Sequence, residues 1–174
     1  MHLTKIQTEN LVLRALRIAD VPMIKKLAGN PRVSKTTRTI PYPYEDGMAE
    51  SWIESVRTMA ETGKSLTYAI ELKKEAHLIG SIGLHEIIDS QAELGYWVGE
   101  PYWSKGYCTE ATIALIKFAF ESLALKSITA EYLTSNVASG KVMKKSGMYH
   151  VATTRKECRP GEVDSVDLYQ IDNI

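Results

Sequence analysis

The chain has 174 residues, 44% apolar and 24% charged, which suits one globular domain, expected over residues 8–174, with one sizeable core. Lysine plus arginine number 21 and aspartate plus glutamate 21, and this zero net charge argues against bulk binding to nucleic acid or a membrane surface. Cys108 and Cys158 lie far apart without metal-ligand spacing, and neither an apolar signal core nor a run of transmembrane length is present. A cytoplasmic protein with free thiols and no bound metal is therefore the expectation.

In chain order, Asn10–Leu16 alternates apolar and polar residues and reads as a strand. Asp20 is placed to cap a helix through about Ala28, with Pro22 in its first turn. Residues 32–44 lack a period and are rich in threonine and proline, so an ordered loop is expected; Tyr42 and Tyr44 could wall a pocket there. A second helix opens at Asp46 and stops at Gly63, with Met48, Trp52, Val56 and Met59 on one stripe that reads as core.

Three strands follow at 66–72, 78–86 and 93–98, separated by polar turns, as in an antiparallel meander. A polar turn then opens a long apolar helix over 108–123. After a strand at 127–133, Asn136 opens a helix ended by Gly147. Two late strands near 149–155 and 163–170 flank Arg159-Pro160-Gly161-Glu162, a hairpin turn. The order implies an α+β fold, a mixed and mostly antiparallel sheet with helices packed on it.

The most informative stretch is the turn at residues 102–111. It aims backbone N–H groups outward at the positive end of a helix dipole, which suits an anion. Ahead of it, glycines flank the strand end at Gly95 and Gly99, where a second backbone could lie alongside. An anion site beside an open strand suits a long cofactor with a phosphate at one end and amides along its arm.

These residues, with their order and spacing, resemble the GNAT superfamily of N-acetyltransferases, and within it the bacterial ribosomal-protein N-terminal acetyltransferases. The resemblance spans nearly the whole chain. It begins at Thr8-Glu9-Asn10-Leu11-Val12-Leu13-Arg14, includes Ile40-Pro41-Tyr42-Pro43-Tyr44, and is strongest from Glu93 through Ala111. It closes with Asn136-Val137-Ala138-Ser139 and Lys145-Ser146-Gly147-Met148.

The resemblance implies a GNAT-type fold of about seven strands and about four helices, acetyl-CoA as donor and a primary amine as acceptor. The acceptor it suggests is a protein N-terminal α-amine such as that of a ribosomal protein, with a polyamine, amino acid or antibiotic amine as alternative. A non-catalytic acyl-CoA sensor and a homodimer also stay open. The pyrophosphate would lie on the backbone of Ser104, Lys105, Gly106, Tyr107, Cys108 and Thr109. The pantetheine arm would pair along Trp97, Val98 and Gly99, where the strand is splayed from its neighbour, and Asn136 would hold it or a nearby backbone.

Acetyl transfer needs three things: a proton acceptor for the amine, a donor for the developing oxyanion, and a proton for the leaving thiolate. The Val98 N–H is the expected oxyanion donor. Many superfamily members carry a tyrosine seven residues after the helix-opening asparagine, but Met143 stands there. The branch places a serine three residues after the asparagine instead, here Ser139, which by itself is also an ordinary helix serine. Glu157 is the expected base and Glu93 its rival. Glu110 in the first helical turn, the histidines 77, 85 and 150, and Cys108 as a packed residue read as structural. One of Lys141, Lys144 and Lys145 could reach the cofactor's 3′-phosphate.

Overall fold

The computed structural model describes residues 3–173. Two short strands, β1 (Ile6–Gln7) and β2 (Leu11–Arg14), precede α1 (Val21–Ala28), α2 (Pro31–Lys35) and α3 (Met48–Glu61). Then come β3 (Leu66–Leu72), β4 (His77–Ile88), β5 (Gln91–Val98) and α4 (Tyr107–Ser122). The chain ends with β6 (Ser127–Leu133), α5 (Val137–Lys145), β7 (Tyr149–Arg159) and β8 (Glu162–Asp172).

One eight-stranded sheet runs β1-β2-β3-β4-β5-β6-β8-β7. Every pair is antiparallel except β5–β6. The expected meander and its mixed sheet are present, with one strand and one helix more than the sequence indicated. The additions are β1, two residues long, and α2, five residues inside the expected loop. Neither is long enough to display a period. Asn30 starts α2 by accepting the Arg32 N–H at 2.9 Å, and Pro31 needs no donor partner in the first turn.

The sheet buries a different layer on each face. One face carries α4 and α5, with Tyr68, Leu94, Leu115 and Met143 in the larger core cluster. The other carries α1 and α3, with Ile24, Leu27, Ala49 and Ile53 in the smaller one. Alternation decides which residues share a face. The β4–β5 register sets Ser81, Gly83 and His85 opposite Trp97, Gly95 and Glu93, all on the α1–α3 side. Tyr96 pairs with Ile82 and faces α4 and α5.

Two expectations change here. The stripe of Met48, Trp52, Val56 and Met59 does not form the core of α3: Met59 is 45% exposed, and the fully buried residues are Ala49, Ile53 and Ala60. The helix turns its small residues to the sheet and leaves its larger ones beside a cleft. Asp20 does not cap α1 through its side chain. Its carboxylate takes two bonds from Arg14, at 2.7 and 2.8 Å, and one from the Arg17 N–H at 2.8 Å.

Candidate active site

The site begins where two strands part. β5 pairs with β6 only from Gln91↔Ser127 to Leu94↔Ala130. Beyond that point β6 continues beside β8 to Leu133, while Gly95–Val98 keep only β4 as neighbour. Gly80 helps draw β5 away: a Cβ there would lie 2.2 Å from the Trp97 carbonyl oxygen, so only glycine allows this approach. A cleft of about 1370 Å³ runs through the opening and is lined by residues from both faces.

The Gly99 N–H donates to the Ile79 carbonyl of β4 at 2.8 Å. Alternation then turns the Val98 N–H to the free edge. Its carbonyl accepts the Trp103 indole N–H at 2.7 Å, so Trp103 closes the end of the open strand. Arg32 lies over the same indole, 5.7 Å from the ring centroid.

Past Trp103 the backbone enters the left-handed region at Ser104 (φ 59°) and Gly106 (φ 82°). Gly106 is the N-cap of the 16-residue α4, and no side chain caps it. The first helical N–H groups are therefore open toward the cleft, where an anion is favoured. The Glu110 carboxylate is turned away, accepting from the Thr8 hydroxyl at 2.5 Å and from Asn10 at 2.7 and 3.0 Å. Burial works against its ionised form, but these bonds outweigh burial and hold its pKa below the usual range.

Of the residues singled out from sequence, Trp97, Val98, Ser104, Gly106 and Tyr107 line the cleft. So do Cys108, Thr109, Asn136 and Ser139. Burial pushes the Cys108 thiol up to about 12, which keeps it a protonated wall residue. Lys141 and Lys145 line the same space, and Tyr44 does while Tyr42 is exposed.

Gly99, Lys105 and Glu157 do not line it. A Cβ on Gly99 would sit 2.7 Å from Leu27, so this glycine serves the packing of α1. Lys105 extends over the Tyr102 ring, 5.6 Å from its centroid. Glu157 is exposed on β7, and its Oε1 accepts the Gly161 N–H at 2.8 Å, closing the β7–β8 turn. The two-residue turn between Arg159 and Glu162 thus engages the carboxylate expected as the base, outside the cleft lining.

Asn136 both caps and ties. Its Oδ1 accepts the Ser139 N–H at 3.2 Å and its amide donates to the Thr36 carbonyl at 3.2 Å. Ser139 is 7% exposed, and its hydroxyl lies 2.8 Å from that of Tyr96. Tyr96 thus brings a phenol from β5 to the side where Met143, 1% exposed, leaves none. Burial raises the Tyr96 pKa well above its ordinary value, so it holds its proton through the neutral range.

The α1–α3 side of the cleft is charged. Arg38 donates to Glu93 at 3.0 Å and to Glu131 at 2.8 Å, clipping β5 to β6 at their parting point. Lys156 also binds Glu131. His85 sits opposite Glu93, with Nδ1 2.8 Å from the Ser65 hydroxyl. Sequence reasoning missed Tyr96, Arg38 and Glu131 altogether. Tyr96 was findable, since it stands between two recognised strand positions; Arg38 lies in an aperiodic loop and gave no signal. Among the described residues, no three His, Cys, Asp or Glu gather as for a metal ion.

The acetyltransferase (GNAT) domain model matches residues 10–149. The uncharacterized N-acetyltransferase p20 of Bacillus licheniformis is 29% identical over 140 residues, covering 79% of this chain and 78% of its own. RimL, a ribosomal L7/L12 α-N-protein acetyltransferase solved with coenzyme A, matches with a TM-score of 0.88 at 17% identity, over 97% of this chain and 98% of that one. A spermidine N-acetyltransferase from Vibrio cholerae, solved with CoA and spermine, matches with a TM-score of 0.80 at 21% identity, over 95% and 96%. At such identities these two structures establish the likeness of fold.

Proposed function

Because this chain belongs to the GNAT family and is therefore an acetyl-CoA-dependent N-acetyltransferase, we propose that it acetylates the α-amine at a protein N-terminus. Acetyl-CoA supplies the activated acyl thioester. The residues of the cleft fit it: an uncapped 16-residue helix for the pyrophosphate, and the free edge of β5 for the amide-bearing arm. The observation that carries the transferase reading is this separation of β5 from β6 beside the start of α4.

In this reading the backbone of 104–109 receives the pyrophosphate, and Val98 and Trp97 flank the arm. The Val98 N–H takes the charge that develops on the thioester oxygen. The Tyr96–Ser139 hydroxyl pair stabilises and protonates the departing thiolate, aided by the N-terminus of α5. Asn136 orients Ser139 through its backbone. Holding both reactants in one cleft supplies much of the acceleration.

The acceptor half favours an N-terminal peptide. Its wall includes Ile40, Tyr44, Trp52, Val56 and Met59, which suit side chains. Its carboxylates Glu93 and Glu131 are already matched by Arg38 and Lys156, so the site is not a bare trap for a polycation. RimL acts on a protein α-amine within the same fold. Of the two other carboxylates lining the cleft, Asp46 is paired with Lys25, and Glu86 favours the second reading, a polyamine.

The test is calorimetric titration with acetyl-CoA, dephospho-CoA and ATP, then thiol release with peptides beginning in serine or alanine, and with spermidine. Binding of acetyl-CoA with peptide-dependent release is expected. Release with spermidine alone would move the acceptor to the polyamines. Binding without release on any amine would make the protein an acyl-CoA sensor.

A further inference from the structure

We propose that the imidazole of His85 takes the proton from the attacking amine, with Ser65 fixing its ring; the assignment rests on the acyl-transfer reading above. His85 lies on β4 opposite Glu93, at the level where β5 leaves β6. The ring occupies a seat left by two glycines. A Cβ on Gly83 would come within 3.1 Å of His85 Cε1, and one on Gly95 would lie 3.4 Å from Cδ2 and Nε2. Neither glycine has a positive φ, so room for the ring, and not backbone freedom, explains them. Directly after His85 the strand bulges, with Glu86 and Ile87 opposite the single Ala92, and Glu86 adopts φ 49°. Such bulges re-aim neighbouring side chains.

Nδ1 lies 2.8 Å from the Ser65 hydroxyl, and in this assignment the ring proton sits there, so that the Nε2 lone pair is left for the cleft, beside Gly95. The carboxylates nearby are less suited. Glu93 accepts from Arg38, Glu131 accepts from Arg38 and Lys156, and Glu86 is exposed on the bulge. The residues of α3 beside the cleft, such as Ser51 and Ser55, carry no charge. Burial lowers the pKa of His85, which keeps it neutral and ready to accept, while the opposing fields of Glu93 and Glu86 stabilise the imidazolium once formed.

The two proton transfers then fall on opposite faces of β5. On the α1–α3 face the amine nitrogen forms its bond to the acetyl carbon and gives its proton to His85 Nε2. On the α4–α5 face the carbon–sulfur bond breaks, its electron pair leaves with sulfur, and the Tyr96–Ser139 pair returns a proton. The imidazolium releases its proton to solvent and the Tyr96–Ser139 pair takes one back from it, which restores the site.

The experiment compares wild type with H85Q, H85A, E93Q and G95A, measuring acetyl-CoA affinity by calorimetry and kcat against pH with a serine-initial peptide and spermidine. H85Q should lose about 100-fold or more in kcat, keep its acetyl-CoA Kd within about twofold, and rise log-linearly with pH where wild type levels off. Added imidazole should restore part of the activity of H85A. The new methyl in G95A should shield Nε2 and cut kcat/KM for the amine about tenfold with acetyl-CoA affinity kept. E93Q should fall far less than H85Q. If H85Q keeps kcat within about threefold, or E93Q reproduces its loss and its pH profile, the assignment is overturned alone. A wild type that binds acetyl-CoA but transfers to no amine overturns the preceding reading and this one together.

Discussion

At the scale of single residues, the proposed chemistry rests on side-chain pairs that lie on the two faces of β5. Tyr96 and Ser139, 2.8 Å apart, form one such pair. Tyr96→Phe should lower kcat about 100-fold and Ser139→Ala by a smaller factor, since the phenol survives in the second variant. Acetyl-CoA affinity should stay within about twofold in both, measured by calorimetry. Full activity in Tyr96→Phe would remove the pair from the reaction. Ser139 was marked by the resemblance alone, since its spacing from Asn136 shows by itself only a capped first turn. The partner was not, because contact between residues 43 positions apart arises only when α5 lies on the sheet. Glu157 shows the converse. Its position in a polar hairpin allows either a catalytic or a turn-closing carboxylate, and in the structure its Oε1 accepts the Gly161 N–H of the turn.

At the scale of elements, the β5–α4 junction was the most legible part, since local rules govern it. A left-handed glycine before an apolar helix follows from backbone sterics. Gly106→Ala would force an alanine to φ 82° at a cost of about 1–2 kcal/mol, with no clash because nothing lies within 4 Å of the new Cβ. The expected outcome is a several-fold weaker acetyl-CoA Kd, a melting point lower by a few degrees, and little change in kcat at saturation. An unchanged Kd would show that the turn does not hold the pyrophosphate. The stripe of α3 was harder to interpret, because apolar residues that line a cleft show the same period as residues that line a core. Bulk decided it: Ala49 and Ala60 let the helix lie close on the sheet, which leaves Trp52 and Met59 outside that contact.

At the scale of the molecule, Arg14 ties three parts of the chain. It bonds Asp20 ahead of α1 and Glu71 on β3, the latter at 2.5 Å, with Arg14 and Asp20 at most 7% exposed. Burial works to raise the Asp20 pKa, but the bonds from Arg14 and the Arg17 N–H outweigh it and hold the carboxyl below its ordinary 3.8. The folded state therefore binds this proton less tightly than the unfolded chain does. The stabilisation is present above pH 3.8 and is lost as pH falls through the lower folded value. Asp20→Asn should cost about 3–5 kcal/mol in urea unfolding at pH 7, and flatten the acid limb of stability below pH 4. A loss under about 1 kcal/mol would mean that Arg14 finds another partner. The sequence by itself determined the order of the longer elements, the α+β class and the glycine turn at the start of α4, since periodicity, glycine position and capping act within a few residues. Only the tertiary structure decided how far β5 and β6 part, which face each wall presents, and that Arg38, Glu93, His85 and Tyr96 surround one opening. Those facts depend on register and packing between segments far apart in the chain, for which local sequence carries no signal.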